Sequence, residues 1–234
     1  MANLVLGNTA QGLSQGRIEV MNLLGDGPQD YESMLNLQRR IHADVADGRR
    51  SSSLLLLEHQ PVFTAGKRTE AFELPTSASP SIAEIPVVQV DRGGKITWHG
   101  PGQLIGYPII KMKNPQELVG YVREIERAII EILAEFDLTG VRVEGRSGVW
   151  IEGRRKIAAI GIRVAQGVTM HGFAINANCS LAAFEEIVPC GISDADVTSL
   201  TKELAREVTI DELLPFVTEK MIPVLANLTS GATA

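Results

Sequence analysis

Two cysteines, Cys179 and Cys190, are the candidate nucleophiles of this sequence. Cys190 lies between Pro189 and Gly191, and a turn of this composition can expose a thiol and let backbone N–H groups converge near it. Cys179 lacks such neighbours, and free cysteines most often behave as small buried hydrophobes. The residues alone therefore favour Cys190 as a nucleophile and leave a purely structural role open for both.

A catalytic thiol needs a nearby cation, because a thiol with an unperturbed pKa near ~8.5 is only slightly ionised at neutral pH. Lowering that pKa by about 1.5 units takes roughly 2 kcal/mol, which one cation can supply. The candidates are Lys156, at the start of an apolar run, and His59, His99 and His171, at strand–loop junctions. A solvated lysine and satisfied core histidines are the structural alternatives. The remaining histidine, His42, is expected on the surface of a helix.

A glycine-rich segment, RGGKITWHGPGQ at 92–103, offers a second feature with chemical potential. Five of its twelve residues are Gly or Pro, so its backbone can approach a ligand closely. A plain turn between strands would have the same composition. The segment matches neither GxxxxGK[ST] nor GxGxxG, so it predicts no phosphate loop of those two types.

The elements that must position these residues follow from hydrophobic periodicity. Helices are predicted at 31–47, from Asn114-Pro115 to about Phe136, and from a Thr209–Glu212 capping box to about Leu228. Strands are predicted at 53–58, 86–90, 141–143, 148–151, 156–164 and 170–176, with a hairpin turn at 152–154. The segment 69–84, rich in Pro, Ser and Glu, is predicted to be a mobile surface loop. This alternation indicates an α/β or α+β domain.

Composition narrows the class of protein further. A chain of 234 residues with 44% hydrophobic and 21% charged residues fits one globular domain and argues against disorder. A net charge of −6 argues against a general nucleic-acid binder. The longest clean apolar run, 54–57, is too short to span a membrane, and the N-terminus shows no secretory signal, so a cytoplasmic protein is expected. Without CxxC or HExxH, no metal site is expected.

Five motifs, taken together, carry a resemblance to a known family. They are EHQPVFTAGK at 58–67, RGGKITWHGPGQ at 92–103, RKIAAIG at 155–161, HGFAIN at 171–176 and PCGI at 189–192. In this order and spacing, across about 54–200, the chain resembles the lipoyl(octanoyl) transferases, which are related in fold to biotin and lipoate protein ligases. The resemblance implies a single domain over 1–234, with a mixed sheet flanked by helices.

The resemblance also implies roles for individual residues. Cys190 would carry octanoyl as a thioester, and Lys156 would lower the pKa of its thiol and shuttle protons. The implied acyl-substrate contacts are Arg92, Gly93, Gly94, Lys95, Ile96, Thr97, Trp98, His99, Ala159, Ile160, Gly161, Gly172, Phe173 and Ala174. Ile96, Trp98, Ile160 and Phe173 are expected to line the path of the acyl tail, and His59 and His171 to join the pocket. Trp98 departs from the Tyr or Phe expected at its position.

The implied reaction moves octanoyl from acyl carrier protein to a lysine of a lipoyl domain, and it requires neither ATP nor a metal. The expected acceptors are lipoyl domains of 2-oxoacid dehydrogenase E2 subunits and the glycine cleavage H protein, with no nucleic-acid or membrane partner. The protein is expected to be a monomer. Acidic carrier protein is expected to dock on residues 141–163, which include six basic residues and two acidic ones. The alternative is that these charges form a solvated surface that binds no partner.

Three other functions compete with this interpretation. An ATP-dependent lipoate or biotin ligase would not need Cys190, and its GRGRxG-like loop is absent from the sequence. An enzyme that moves octanoyl between two lipoyl-bearing proteins would also use a cysteine, but within different motifs. A non-enzymatic carrier-protein binding module would leave the placement of Cys190 and Lys156 unexplained.

Overall fold

The computed structural model describes residues 18–75, 84–187 and 196–230. Cys190 and the second half of the predicted 69–84 loop lie outside these residues.

A mixed sheet forms the centre of the described structure, with strands in the order β1-β2-β6-β10-β9-β8-β7 and β11 paired to β9. Its strands are β1 (Glu19–Asn22), β2 (Ser53–Leu57), β6 (Gln103–Ile109), β7 (Gly140–Val143), β8 (Arg146–Ile151), β9 (Arg155–Ala165), β10 (Val168–Asn176) and β11 (Asp196–Val197). The β1–β2 and β9–β11 pairs are parallel, and the others are antiparallel. The turn between β8 and β9 confirms the predicted hairpin at 152–154, where Glu152 and Gly153 both have positive φ.

A smaller sheet, in the order β4-β3-β5, lies beside the large one. Its strands are β3 (Val62–Ala65), β4 (Val87–Gln89) and β5 (Thr97–His99). β3 lies within EHQPVFTAGK and β5 within RGGKITWHGPGQ, so the pairing of these two strands brings the two motifs together.

Helices cover both faces of the large sheet. They are α1 (Tyr31–Ala46), α2 (Leu118–Ala134), the short α3 (Leu200–Leu204) and α4 (Ile210–Leu228). On β2, Leu54 and Leu56 pack into the core with α2 and α4, whereas Leu55 and Leu57 pack against α1. This two-sided burial explains why the strand is a continuous apolar run rather than an alternating one. The predicted mixed sheet flanked by helices is confirmed.

The capping pattern predicts the start of α4 correctly but not the start of α2. The Thr209 hydroxyl accepts from the Glu212 backbone N–H at 3.3 Å, as the capping box predicts, and α4 ends at Leu228. The predicted start of α2 at Asn114-Pro115 is wrong: the helix begins at Leu118. Asn114 instead accepts from Glu117 N in a separate turn, which packs against the 166–167 turn through Pro115.

Two further predictions need correction. His42 is buried rather than exposed, because α1 lies against the β9–β10 turn and the His42 Nε2 atom sits 3.1 Å from the Ala165 carbonyl oxygen. The described part of the 69–84 loop is anchored rather than free: Glu73, in a 3-10 turn, is fully buried and pairs with Lys95 at 2.5 Å.

Candidate active site

A cavity of about 340 Å³ lies where the small sheet meets β6, β9 and β10. Most of the predicted site residues line it: Arg92, Gly93, Gly94, Lys95, Thr97, His99, Lys156, Ala159, Ile160, Gly161, His171, Gly172, Phe173 and Ala174. The segments 92–99, 156–161 and 171–174, which are far apart in the sequence, meet here because β9 and β10 are neighbours in the large sheet and the small sheet lies beside them.

Two predicted lining residues, Ile96 and Trp98, do not reach the cavity. On β5, Thr97 and His99 line the cavity, whereas Trp98 lies in another buried cluster with Ile96 and Cys179. The Trp98 ring meets the edge of Phe184 at a centroid distance of 5.5 Å. The predicted set of lining residues is corrected accordingly: Ile160 and Phe173 line the cavity, whereas Ile96 and Trp98 lie in the separate buried cluster.

Lys156 is a buried residue of the cavity wall rather than a solvated lysine at a strand end. Its Nζ atom lies 4.6 Å from the centre of the Trp150 ring, a distance suited to a cation–π contact. Strand β11 covers its backbone, and Thr198 N donates to the Lys156 carbonyl oxygen at 2.9 Å. Its neighbour Arg155 is held on the surface by Glu203 at 2.8 Å.

Arg92 organises the glycine-rich loop from inside. Its guanidinium donates to the carbonyl oxygens of Gly93, Lys95 and Thr64 at 2.7–3.0 Å, and to the Thr64 hydroxyl at 2.8 Å. These bonds draw the loop around the buried side chain, which explains how an irregular segment keeps a defined shape at the cavity wall.

The three histidines predicted for the pocket are all buried. Burial lowers the pKa of His59 to about 4 and that of His99 to about 3. Burial also lowers the pKa of His171, against the opposing effect of Asp91, whose carboxylate lies 2.8 Å from Nε2. His99 and His171 line the cavity, whereas His59 lies behind it, with its ring 6.0 Å from that of His99. Neutral imidazoles supply no positive charge for a thiolate, so Lys156 is the strongest of the four candidates for the cation beside the catalytic thiol.

Comparison with known proteins places this geometry in a family. Residues 30–222 match the family model described as the lipoyl protein ligase A/B catalytic domain. An octanoyltransferase of Leifsonia xyli subsp. xyli is 55% identical over 199 residues, which cover 83% of this chain and 86% of that protein. The chain belongs to the octanoyltransferase family. A second member, from Mycobacterium tuberculosis, is 51% identical over 204 residues, covering 86% of each chain.

Solved structures support the fold of this octanoyltransferase-family chain. A bi-partite lipoate protein ligase from Thermoplasma acidophilum, studied with its E2 lipoyl domain, superposes with a TM-score of 0.65. It is 17% identical and covers 90% of this chain and 84% of that chain, so the likeness concerns the fold alone. The predicted lipoate protein ligase-like fold is thereby confirmed, and membership of the octanoyltransferase family makes the chain an acyltransferase.

Several cavity residues of this octanoyltransferase-family chain escaped sequence reasoning: Tyr31, Arg68, Ile105, Tyr107, Gly145, Arg146 and Ser147. Tyr107 offered a signal, since it carries a hydroxyl group within the mostly apolar β6. Its hydroxyl donates to His59 Nε2 at 2.7 Å, because His59 Nδ1 is committed as a donor to the Gln29 carbonyl oxygen at 3.0 Å. The β7–β8 turn residues offered no such signal.

Cys179 is a structural residue in this arrangement. It is buried beside Trp98 and Phe184, and burial raises the pKa of its thiol to about 12. Its backbone N–H donates to the Gly102 carbonyl oxygen at 3.1 Å. A thiol in this state is a poor nucleophile at neutral pH.

Two absences concern only the part of the chain that the structure describes. Within 18–75, 84–187 and 196–230, no three or more His, Cys, Asp or Glu side chains cluster in a way that could hold a metal ion. Across the same ranges, no helix has the length and apolarity needed to cross a bilayer.

Proposed function

We propose that the protein transfers octanoyl from octanoyl-acyl carrier protein to a lysine of lipoyl domains, through a thioester on Cys190. One observation carries the proposal: in a chain of the octanoyltransferase family, a buried lysine, Lys156, lines a cavity that has apolar walls beside it. Lipoyl domains of 2-oxoacid dehydrogenase E2 subunits and the glycine cleavage H protein are the proposed acceptors. Neither ATP nor a metal takes part.

The cavity suits an acyl tail. Ile105, Ile160, Phe173 and Ala174 supply apolar wall, and each CH₂ group that leaves water gains about 0.8 kcal/mol. An eight-carbon chain therefore gains several kcal/mol from this cavity. That gain holds the carbonyl carbon at one place relative to Lys156 while the bonds change.

Lys156 is the proposed partner of the Cys190 thiolate. Support comes from β11: Asp196 and Val197 pair beside Arg155 and Lys156, and Asp196 follows Cys190 by only six positions in the sequence. Six residues span at most about 22 Å when fully extended, so the chain limits the distance between Cys190 and Asp196 to that reach. An ammonium group next to a thiol stabilises the thiolate, which is the reactive form.

The proposed reaction has two balanced steps. In the first, the Cys190 thiolate bonds to the acyl carbon, the bond from that carbon to the pantetheine sulfur breaks, and Lys156 gives its proton to the departing sulfur. In the second, the lysine amine of the lipoyl domain attacks the thioester, Lys156 takes up the proton of that amine, and Cys190 leaves as thiolate. The amide is more stable than the thioester, so the two-step reaction proceeds without ATP.

The basic region proposed to meet acidic carrier protein is smaller than the charge count at 141–163 suggests. Arg142 pairs with Glu126, Arg155 with Glu203, and Arg163 with Asp91. Of the other two arginines of the region, Arg146 lies in the cavity wall over the Trp150 ring, 5.9 Å from its centre, and Arg154 is exposed. We propose that carrier protein docks around the cavity mouth, with Arg154 as the arginine to test. Charge reversal at Arg154 that leaves the carrier-protein KM unchanged would reject a contribution of this residue.

Intact-protein mass spectrometry tests the transfer mechanism directly. Wild type mixed with octanoyl-acyl carrier protein is expected to gain one octanoyl adduct, which a lipoyl domain then discharges. Cys190→Ser should gain none, and Cys179→Ala, the matched control, should behave as wild type because that thiol is buried away from the cavity. Amide product without any adduct on the protein would instead indicate direct transfer, and exchange of ATP with pyrophosphate would indicate a ligase.

A further inference from the structure

A chain of buried hydrogen bonds runs from the cavity wall to the strand beside Lys156. It passes from Arg92 through Thr64, His99, Gln103 and Asn176 to the backbone carbonyl oxygen of Thr198. The successive donor–acceptor distances are 2.8, 3.3, 2.7, 2.8 and 2.8 Å. All six residues are buried, so water does not replace these bonds. Gln103 and Asn176 end two of the sequence motifs, yet the proposed transfer steps assign them no role.

The direction of this chain is forced at both ends. A carbonyl oxygen only accepts, so Asn176 must turn its Nδ2 to Thr198 and its Oδ1 to Gln103. Gln103 must then donate through Nε2 and accept from His99 through Oε1.

The same logic fixes the remaining links. His99 carries its proton on Nδ1, which leaves Nε2 as an acceptor for the Thr64 hydroxyl. The Thr64 oxygen in turn accepts from Arg92, a side chain that only donates. Burial keeps His99 neutral by lowering its pKa to about 3, so this single tautomer holds at neutral pH.

The far end of the chain is the backbone next to Lys156. Thr198 directly follows β11, and its N–H donates to the Lys156 carbonyl oxygen while its own carbonyl accepts from Asn176. Gln103 and Asn176 face each other as a register pair between β6 and β10, so two central strands fix their positions. The Thr198 peptide is thus held on one side by the strand of Lys156 and on the other by this chain.

We propose that Gln103 and Asn176 are positioning residues for the transfer reaction: through the Thr198 peptide they hold β11, the strand that follows the Cys190 segment, beside Lys156. They touch no reacting atom. They set where the main chain that leads from Cys190 joins the strand of Lys156, and they fix the tautomer of His99 on the cavity wall. This inference rests on the proposed function, since it assumes that Cys190 carries the acyl group.

The change Gln103→Glu tests the direction of the chain. An ionised Glu only accepts, so it opposes Asn176 Oδ1, and turning the Asn176 amide would bring that oxygen against the Thr198 carbonyl. A protonated Glu has one O–H and restores the original direction. Because burial raises the pKa of a carboxyl group, this titration is expected to fall within the working pH range.

The measurement is the single-turnover rate of octanoyl adduct formation across a pH series, with thermal stability recorded alongside. Gln103→Glu is expected to acylate about tenfold more slowly than wild type at about pH 8, and the ratio of the two rates should recover as the pH falls to about 6. Gln103→Met, which breaks the chain at every pH, should stay slow throughout. Gln116→Glu, at an exposed position outside the chain, should match wild type.

The outcomes separate this inference from the proposed function. No adduct on wild type overturns both. Wild-type acylation with unaltered rates in Gln103→Glu overturns the positioning role alone. Equal losses in Gln103→Glu and Gln103→Met at every pH would show a packing role only and would also overturn it. Asn176→Leu, which removes the last donor, should resemble Gln103→Met if the two residues act through Thr198.

Discussion

A glycine in a central strand limits the position of one ring in the cavity wall. Gly106 on β6 lies under the Phe173 ring, and a methyl group at position 106 would overlap that ring. Phe173 is part of the cavity wall, so a displaced ring can move into the open space of the cavity. In the proposed reaction, the length of acyl chain that the cavity accepts therefore depends on a residue that does not line it.

Gly106→Ala is expected to shorten the preferred acyl chain. If the displaced ring excludes two CH₂ groups, the ratio of kcat/KM for octanoyl over hexanoyl donors should fall by about tenfold, at about 0.8 kcal/mol for each group. A competition assay with octanoyl- and hexanoyl-acyl carrier protein as donors measures this ratio. Gly25→Ala, where nothing lies within 4 Å of the added carbon, is the control. An unchanged ratio would show that the ring moves elsewhere.

Gly102 carries a different constraint, which concerns stability. Its φ is +81°, a Cβ there would lie 2.6 Å from Cys179 N, and its carbonyl oxygen accepts from three successive backbone N–H groups at 177–179. Gly48 has a similar φ of +73° but nothing within 4 Å.

These two glycines make a matched pair for measurement. Gly48→Ala should lower the free energy of unfolding by about 1 kcal/mol, the cost of the left-handed backbone. Gly102→Ala should lower it by at least about 3 kcal/mol, because overlap with backbone atoms adds to that cost. Urea denaturation measures both, and equal losses would show that the 177–179 backbone yields.

Among the elements, the link between α2 and the β7–β8 hairpin depends on one buried carboxylate. Glu126 is fully buried on α2, and its Oε1 accepts from Gly148 N at 3.0 Å. Its Oε2 pairs with Arg123 at 2.7 Å and with Arg142 at 3.2 Å. The hairpin carries Arg146 and Ser147 to the cavity wall, so this carboxylate supports the site from a distance.

Glu126→Ala is expected to lower the free energy of unfolding by about 3 kcal/mol, because it leaves the Gly148 N–H buried without its acceptor and removes the partner of two arginines. Glu124→Ala, on the exposed side of the same helix and paired with Arg127, should cost less than about 0.5 kcal/mol. Chemical denaturation of the two variants distinguishes them. Similar losses would mean that water reaches position 126.

Elements with strong periodicity could be predicted from the sequence, whereas their partners in space could not. The observed bounds of α1, β9 and β10 lie within two residues of those expected, since long apolar patterns report burial directly. For Lys156 the sequence leaves a solvated strand end open as an alternative, because nothing local shows that β11 returns to cover it. Ile96 and Trp98 were expected to line the cavity for a similar reason. The motif identifies the segment, but the pairing of β5 with β3 decides which face of the sheet each side chain lies on.

At the scale of the whole molecule, the buried histidines couple stability to pH. His59 and His99 have pKa values lowered to about 4 and about 3, whereas an unfolded histidine titrates near ~6.5. Below about pH 6.5 the unfolded chain therefore binds more protons than the folded one, and acid favours unfolding.

The free energy of unfolding is expected to fall between about pH 7 and pH 5, by about 2 kcal/mol for each of these two histidines. Urea denaturation at a series of pH values measures the slope. Carboxylates with lowered pKa values, such as Asp91, contribute their losses only at lower pH, so they do not explain a slope in this range. A flat profile down to about pH 5 would show that the histidines are protonated in the folded state.

The cavity also has a kinetic consequence for the molecule, because its walls come from both sheets and surround the acyl tail. In the proposed reaction the tail stays seated while its carbonyl passes from the pantetheine sulfur to Cys190 and then to the amine, so it acts as a pivot for both steps. The several kcal/mol gained by burying the tail are unchanged between those steps and are lost only when the lipoyl domain withdraws it. The same cavity that orients the octanoyl group therefore also retains the product. A larger cavity would position the octanoyl group less accurately and would release the product faster.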